Sequence, residues 1–197
     1  TNEYVEKAAE RQGLPPLMGF SSETSSPETL KASLAEKPFA GIVVPDAGDL
    51  SKALPEWAAD ITNDLGRIVL LDGLRLETEK RAQEVIELCG RYGHAKFIVE
   101  GAGSFQTLTD AAVGLLAFRD VLNLFFSVAG VTHWQIIESL FAAIDGYRIL
   151  YATGGRQALE RGKRVVINDY IVETAPRFTR DADGDAPPFT FRLYEQL

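Results

Sequence analysis

Short apolar runs alternate with segments of helical spacing through the first half of the chain. The runs lie at residues 42–44, 68–71 and 97–99, and the helical segments at about residues 55–64 and 77–92. Continuous apolar strands that alternate with helices are typical of a parallel sheet covered on both faces. The spacing of the runs is close to the roughly 30 residues of a β-α-β unit. The pattern therefore predicts a parallel α/β segment.

The pattern changes after Gly103. Residues 118–128 alternate between apolar and polar positions, which predicts a half-buried strand. Thr132 and Gln135 form a capping box that predicts the start of a helix. Further strands are predicted at residues 147–152, 164–174 and 189–195. The expected fold class is mixed α/β, with a parallel β-α-β half followed by an antiparallel α+β half.

Three segments follow from these patterns. Residues 1–37 are expected to hold N-terminal helices and an arm at residues 14–26, which are rich in proline and serine. Residues 38–104 correspond to the parallel half and residues 105–197 to the antiparallel half. One continuous domain with a single mixed sheet remains an alternative.

Composition narrows the classes of function. The chain of 197 residues is 46% hydrophobic and carries a formal net charge of −8. This charge argues against a nucleic-acid surface, because phosphate binding needs clustered lysine and arginine. The longest apolar region, residues 111–131, is interrupted by Arg119 and Asp120, so no membrane span is expected. The polar start at residues 1–11 does not predict a signal peptide.

Residues that commonly perform catalysis are scarce. His94, His133 and Cys89 are the only histidines and cysteine of the chain, and no catalytic or metal motif joins them. Cys89 falls on the apolar side of its helix, which indicates a small buried side chain rather than a nucleophile. The sequence therefore predicts no catalytic residue and no cofactor.

Three carboxylates provide the best alternative. Asp46, Asp72 and Glu100 each follow one of the apolar runs. In a parallel sheet they would meet at the carboxyl edge, where α/β proteins bind ligands. Oxygen ligands of this kind suit hard divalent cations such as magnesium. Acidic residues are also common in such loops as helix caps, so a structural role stays open.

Other candidate motifs favour structural turns. Residues 101–103 (Gly-Ala-Gly) resemble the start of a dinucleotide-binding fingerprint, but Gln106 replaces its third glycine. Residues 153–156 indicate a strand-end turn. Residues 181–185 resemble a calcium loop, yet Arg192 stands where that loop needs a glutamate.

The adjacent residues Phe125 and Phe126 indicate that both faces of their strand carry a large apolar side chain. Alternation buries one ring and turns the other to the opposite face. Val121 shares the face of Phe125. A helix or another subunit is expected to cover that face.

The order of elements resembles structural proteins of bacteriophage tails. Residues 118–197 look like the core of tail-terminator and tail-completion proteins in their predicted strand at 119–128, capped helix at 132–145, and strands at 149–151 and 165–173. Residues 40–120 look like the α/β domain of contractile-tail sheath proteins. There a strand that ends in an aspartate, as at residues 69–72 (Val-Leu-Leu-Asp), is followed by a helix and another strand.

This resemblance implies a non-enzymatic assembly protein of a phage tail or neck, located in the virion and, during assembly, in the host cytoplasm. It implies a homo-oligomeric ring or tube that contacts other tail or neck proteins, with no nucleic acid and no membrane as partner. The arm at residues 14–26, the loop at 177–188 and the C-terminal strand are the expected contact elements. The alternative is an α/β enzyme or ligand-binding domain that uses Asp46, Asp72 and Glu100 with a divalent cation. A regulatory domain for an acidic or nucleotide ligand receives little support from the charge.

Overall fold

The computed structural model describes residues 13, 15–37, 39–45, 49–76, 78–103, 105, 111, 113–129, 131, 134–152, 163–167 and 170–174. The strands are β1 (Leu17–Gly19), β2 (Gly41–Pro45), β3 (Ile68–Asp72), β4 (Lys96–Val99), β5 (Leu124–Ser127), β6 (Ile149–Leu150), β7 (Lys163–Ile167) and β8 (Tyr170–Thr174). The α-helices are α1 (Pro27–Glu36), α2 (Leu50–Ala53), α3 (Glu56–Asp64), α4 (Glu79–Arg91) and α5 (Trp134–Ala143). Short 3-10 helices cover Glu100–Gly103, Leu115–Phe118 and Gly146–Arg148.

Local sequence signals start the helices where they were expected. The Ser26 side chain accepts a hydrogen bond from the Thr29 backbone N–H at 3.3 Å, and Pro27 opens α1. Thr78 caps α4 in the same way by accepting from the Arg81 N–H. The predicted helices α1, α3 and α4 are confirmed to within about two residues at their ends, which is the ordinary uncertainty of helix boundaries.

Strands β1 to β6 form one six-stranded sheet in the order β1-β2-β3-β4-β5-β6, and every neighbouring pair is parallel. The predicted parallel segment is therefore confirmed and extends further in both directions. The prediction of an antiparallel second half is wrong, because β5 pairs with β4 in parallel and β6 continues the sheet. The prediction was based on the alternation of apolar and polar residues at 118–128. A strand of a parallel sheet that is fully covered on one face shows the same alternation as an antiparallel strand.

Two local predictions also need correction. The expected arm at residues 14–26 contains β1, which hydrogen-bonds to β2 as the first strand of the sheet. The long strand expected at 118–128 is a short strand, β5, preceded by the 3-10 helix Leu115–Phe118. The sheet thus continues across both predicted segment boundaries, and the division of the chain into domains stays a prediction.

Strands β7 and β8 form a separate two-stranded antiparallel sheet. The predicted strand at 164–174 is two strands, β7 and β8, with Val165 paired to Val172. The helix that was expected after Thr132 is present as α5, although Thr132 itself lies outside the described residues. The strand predicted at 189–195 also lies outside them.

The two faces of the six-stranded sheet differ in burial. On one face, alternate residues of the central strands β2 to β5 are almost fully buried: Ile42, Val44, Val69, Leu71, Phe97, Val99, Leu124 and Phe126. The core clusters them with buried residues of the helices, such as Leu34 in α1 and Val85 in α4. On the other face, Val43, Leu70, Ile98 and Phe125 are only partly buried. The expectation that both faces are covered is not met by the residues described.

This asymmetry has a topological cause. Connections between parallel strands are almost always right-handed, so strands in sequential order place every crossover helix on the same face. In a doubly wound sheet the strand order reverses at one point, so helices cover both faces. The sheet of this protein has no such reversal among strands β1 to β6, and neighbouring strands of a β/α barrel follow the same sequential order. We call the helix-covered side the outer face and the partly buried side the inner face.

The buried side chain of Arg148 stabilises the end of the sheet. Its side chain is fully buried, and its guanidinium donates hydrogen bonds to the backbone carbonyls of Phe118, Arg119 and Val121 at 3.1, 2.6 and 2.7 Å. These carbonyls lie at the end of a 3-10 helix and just before β5. The contact therefore joins the segment before β6 to the segment before β5.

No helix among the described residues is both long and apolar enough to cross a membrane.

Candidate functional site

A row of residues crosses the carboxyl edge of the sheet on its inner face. The register pairs Pro45 with Asp72, and it pairs Leu71 with Val99, which puts Glu100 next to Asp72. One strand further along, Val99 pairs with Phe126, so Ser127 follows beside Glu100. Ligands of parallel α/β proteins bind outside this edge, because the connecting loops there form the crevice.

The Asp72 and Glu100 side chains contact each other. Burial of the Glu100 carboxyl raises its pKa, and the hydrogen bond with Asp72 and the negative charge of Asp72 raise it further. Two adjacent carboxylates repel when both are ionised, so such a pair tends to hold a proton or a cation. Asp72 is exposed and Glu100 is partly buried, so this place is open to solvent.

A left-handed turn follows β4 and orients Glu100. Gly101, Ala102 and Gly103 all have positive φ, at 61°, 51° and 88°. Ala102 is fully buried in this strained conformation, which alanine adopts at a cost of about 1–2 kcal/mol. Backbone strain of this kind is found at functional sites. The turn expected at residues 101–103 is present.

The loop after β3 packs on this turn. The Leu76 backbone N–H donates to the Gly103 carbonyl at 2.9 Å. A Cβ atom at Gly103 would meet the Leu76 Cδ1 atom at 2.9 Å, and the φ of 88° at this position is one that glycine adopts without strain. Leu74 and Leu76 are both buried. The two loops that carry Asp72 and Glu100 are thereby held against each other.

The third predicted carboxylate, Asp46, lies outside the described residues. Within the part of the chain that is described, no group of three or more histidine, cysteine, aspartate or glutamate residues is placed to hold a metal ion. The described oxygen donors at this edge are Asp72 and Glu100. Magnesium is commonly held by one or two carboxylates plus water and substrate, and manganese shares this preference for oxygen ligands. The pair is thus compatible with a hard divalent cation, and the metal assignment stays a prediction.

The remaining chemical candidates lie elsewhere. His94 is exposed just before β4, at the opposite edge of the sheet, and its backbone N–H donates to the Asn63 side chain at 2.9 Å. Burial raises the pKa of the Cys89 thiol to about 12, which agrees with the predicted inert side chain. His133 lies outside the described residues, as do the turns at 153–156 and 181–185.

Two residues of this edge escaped the sequence analysis. Ser127 is buried and its Oγ atom accepts a hydrogen bond from the Ala129 N–H at 3.1 Å. Arg75 is exposed three residues after Asp72, between the buried Leu74 and Leu76. Neither belongs to a motif. Only their position could have identified them as candidate site residues, since both lie at or just after the end of a parallel strand.

No protein-family model matches this sequence, and no curated protein matches it in a sequence search. Solved structures do match its fold. A 2,6-dihydroxybenzoate decarboxylase, in complex with 2,6-dihydroxybenzoate, aligns with a TM-score of 0.56 and 11% identity over 78% of this chain and 64% of that chain. The 5-carboxyvanillate decarboxylase from Sphingomonas paucimobilis aligns with a TM-score of 0.56 and 9% identity over 77% of this chain and 60% of that chain.

A third structure carries a metal. The dihydroxybenzoic acid decarboxylase from Polaromonas sp. JS666, with bound manganese and the inhibitor 2-nitroresorcinol, aligns with a TM-score of 0.53 and 15% identity over 77% of this chain and 62% of that chain. The chain spans less than two thirds of the length of these three structures. At such identities the likeness establishes the fold alone.

These structures overturn the resemblance to phage tail proteins. The three structures described above are decarboxylases, and neither tail-terminator nor sheath proteins are among them. The resemblance depended on an antiparallel second half, which the sheet lacks. The expectations of a non-enzymatic assembly subunit and of a place in the virion depended on it and are wrong as well. The alternative of an α/β enzyme with strand-end carboxylates agrees better with these findings.

Proposed function

We propose that this chain forms the catalytic edge of a metal-dependent enzyme that removes a carboxyl group from an aromatic acid. The single observation that carries the proposal is the contact between Asp72 and Glu100 at the carboxyl edge of a sequentially ordered parallel sheet. The decarboxylases with the same fold supply the reaction class. One of them contains manganese, which supplies the choice of cation.

The donor set fits a hard cation. Both side chains offer carboxylate oxygens, which suit manganese and magnesium better than zinc. The exposure of Asp72 leaves coordination positions accessible to water and substrate. Burial raises the Glu100 pKa most, and the negative charge of Asp72 raises it further. The repulsion between the two carboxylates would become a favourable interaction with a divalent cation that lies between them.

In the proposed reaction the bond between the aromatic ring and its carboxylate carbon breaks, carbon dioxide leaves, and the electron pair that stays on the ring carbon takes up a proton from water. A divalent cation, when bound, would supply Lewis-acid polarisation of substrate oxygens. The task of Asp72 and Glu100 is to hold and orient that cation. The turn after β4 and the loop after β3 keep the two carboxylates in place through the Leu76–Gly103 hydrogen bond.

The inner face of the sheet supports the choice of an aromatic substrate. Leu70, Ile98 and Phe125 occupy neighbouring positions on this face, one row below the carboxylates. All three are partly buried, so they present apolar surface beside a polar edge. Binding sites for small molecules commonly combine apolar walls with a few polar groups.

A metal titration followed by thermal unfolding tests the cation site. Manganese at about 100 times its Kd is expected to stabilise the protein by about 2.7 kcal/mol, a rise in Tm of about 5–10 °C for a chain of this size. Asp72→Asn and Glu100→Gln are each expected to abolish most of the rise. Asp60→Asn is the matched control, since Asp60 is exposed on α3 and away from the edge. A rise that survives Asp72→Asn would contradict the assigned cation site.

An activity assay tests the reaction. Carbon dioxide release from 2,6-dihydroxybenzoate and from 5-carboxyvanillate is measured with and without manganese. Metal-dependent release that is lost in Asp72→Asn and retained in Asp60→Asn is the expected result. If manganese stabilises the protein but neither acid releases carbon dioxide, the result would support the metal site and contradict the proposed reaction class.

A further inference from the structure

Arg75 stands out at the carboxyl edge because it has no partner among the residues that the structure describes. Among the described loop residues that directly follow strands β1 to β6, it is the only arginine or lysine. It forms no hydrogen bond or ion pair with any residue that the structure describes. By contrast, Lys52 in α2, the helix that follows β2, is paired with Asp49 at 3.4 Å.

The loop holds the Arg75 backbone in a defined place. The residues on both sides, Leu74 and Leu76, are buried to within 1% and 2% exposure, and Leu76 is bonded to the Gly103 carbonyl. An arginine between two anchored residues is presented to solvent from a rigid segment. Its Cα atom lies at most about 11 Å from that of Asp72, since each residue spans at most about 3.6 Å.

The charges at this edge favour a positively charged side chain such as Arg75 beside an anionic substrate. Asp72 and Glu100 carry two carboxyl groups, and a divalent cation between them would only balance their charge. An anionic substrate would then meet a nearly neutral site within a chain of net charge −8. Arginine can add a bidentate, charge-assisted contact to a carboxylate, which a metal held by carboxylates does not duplicate.

We propose that Arg75 is a specificity-determining residue that binds a carboxylate of the substrate and so selects acids over neutral analogues. This inference rests on the proposed function, because it places the substrate beside Asp72 and Glu100. Arg75 has no part in holding the cation. Its removal therefore weakens the binding of acids and leaves metal binding unchanged.

The test measures the affinity of the full chain for two probes by calorimetry, with and without manganese. The probes are 2,6-dihydroxybenzoate and its neutral amide, 2,6-dihydroxybenzamide. Arg75→Gln is expected to weaken binding of the acid by about 10- to 100-fold, the usual range for a lost charge-assisted hydrogen bond, with binding of the amide unchanged. Arg75→Lys should recover part of the loss because it restores the charge without the planar fork.

Lys96→Gln is the matched control. It removes the same charge from an exposed position on the same sheet, but at the amino end of β4. Equal acid binding by Arg75→Gln and the original chain overturns the inference, and so does an equal loss for the acid and the amide. The proposed function fails separately if acid binding depends on Arg75 but not on manganese. If the original chain binds neither probe, both proposals fall.

Discussion

The contact between Asp72 and Glu100 works against the stability of the metal-free fold. Burial and the neighbouring carboxylate raise the pKa of Glu100, so its ionised form is less stable in the folded chain than in the unfolded one. The buried alanine at positive φ, Ala102, adds strain in the same turn. Residues that are costly for folding and lie together at one edge are typical of a functional site, where stability is traded for activity.

Glu100→Gln is therefore expected to raise the Tm of the protein in EDTA at neutral pH. A carboxyl group with a raised pKa in the folded state contributes stability below its unfolded pKa, and this contribution is lost as pH rises through its folded pKa. The Tm advantage of the variant should be absent near pH 4, grow as pH rises, and then level off. Circular dichroism melts across this pH range provide the measurement.

The control for this effect is Glu138→Gln, which changes an exposed glutamate of α5 and should show no such pH dependence. Manganese should reverse the order, because the original chain would then gain stability that the variant cannot. A Glu100→Gln variant that is less stable than the original chain in EDTA at pH 7 would contradict the unfavourable contact.

Single polar side chains join whole elements in this protein. Arg148 joins the segments before β5 and β6 through three carbonyl groups. The Asn123 side-chain amide does the same between β5 and the end of α4, since its Nδ2 atom lies 3.1 Å from the Cys89 carbonyl and 3.0 Å from the Tyr92 carbonyl. Backbone carbonyls at helix ends lack partners within the helix, and these side chains satisfy them.

Arg148→Ala is expected to destabilise the fold by about 3–5 kcal/mol, because it leaves buried carbonyls unpaired together with a large cavity. Arg148→Lys keeps a charge but cannot reach all three carbonyls, so its cost should be smaller. Urea unfolding of each variant gives the free energies. Arg119→Ala removes an exposed arginine from the same segment and should cost less than about 0.5 kcal/mol. Similar losses for Arg148→Ala and Arg119→Ala would argue against the assigned role of Arg148.

At the scale of the whole molecule, strand order decides where the site is. Six parallel strands in sequential order put the helices on the outer face and all strand ends at one edge. The inner face then remains only partly buried, which answers in part the question raised by the Phe125-Phe126 pair: no described helix covers the face of Phe125 as the outer face is covered. The prediction that the chain forms homo-oligomers stays untested.

Thermal unfolding is expected to be a single transition for residues 13–152, because the sheet crosses the predicted boundaries after residues 37 and 104. Midpoints from far-ultraviolet circular dichroism and from tryptophan fluorescence should then coincide. Trp57 reports on the start of the sheet, where its ring packs on Phe20 with centroids 5.7 Å apart. Two separate midpoints would instead support the division into independent segments.

Local patterns in the sequence determined a large part of this structure. Apolar runs predicted β2, β3 and β4, and capping residues such as Ser26 predicted helix starts, because both depend on neighbours in the chain. The strand-end positions of Asp72 and Glu100 also followed from sequence. Strand order, the direction of β5 and β6, and the contacts of Arg148 depend on residues far apart in the chain. Only the tertiary structure decided these, since alternating burial looks the same in an antiparallel strand and in a parallel sheet covered on one face.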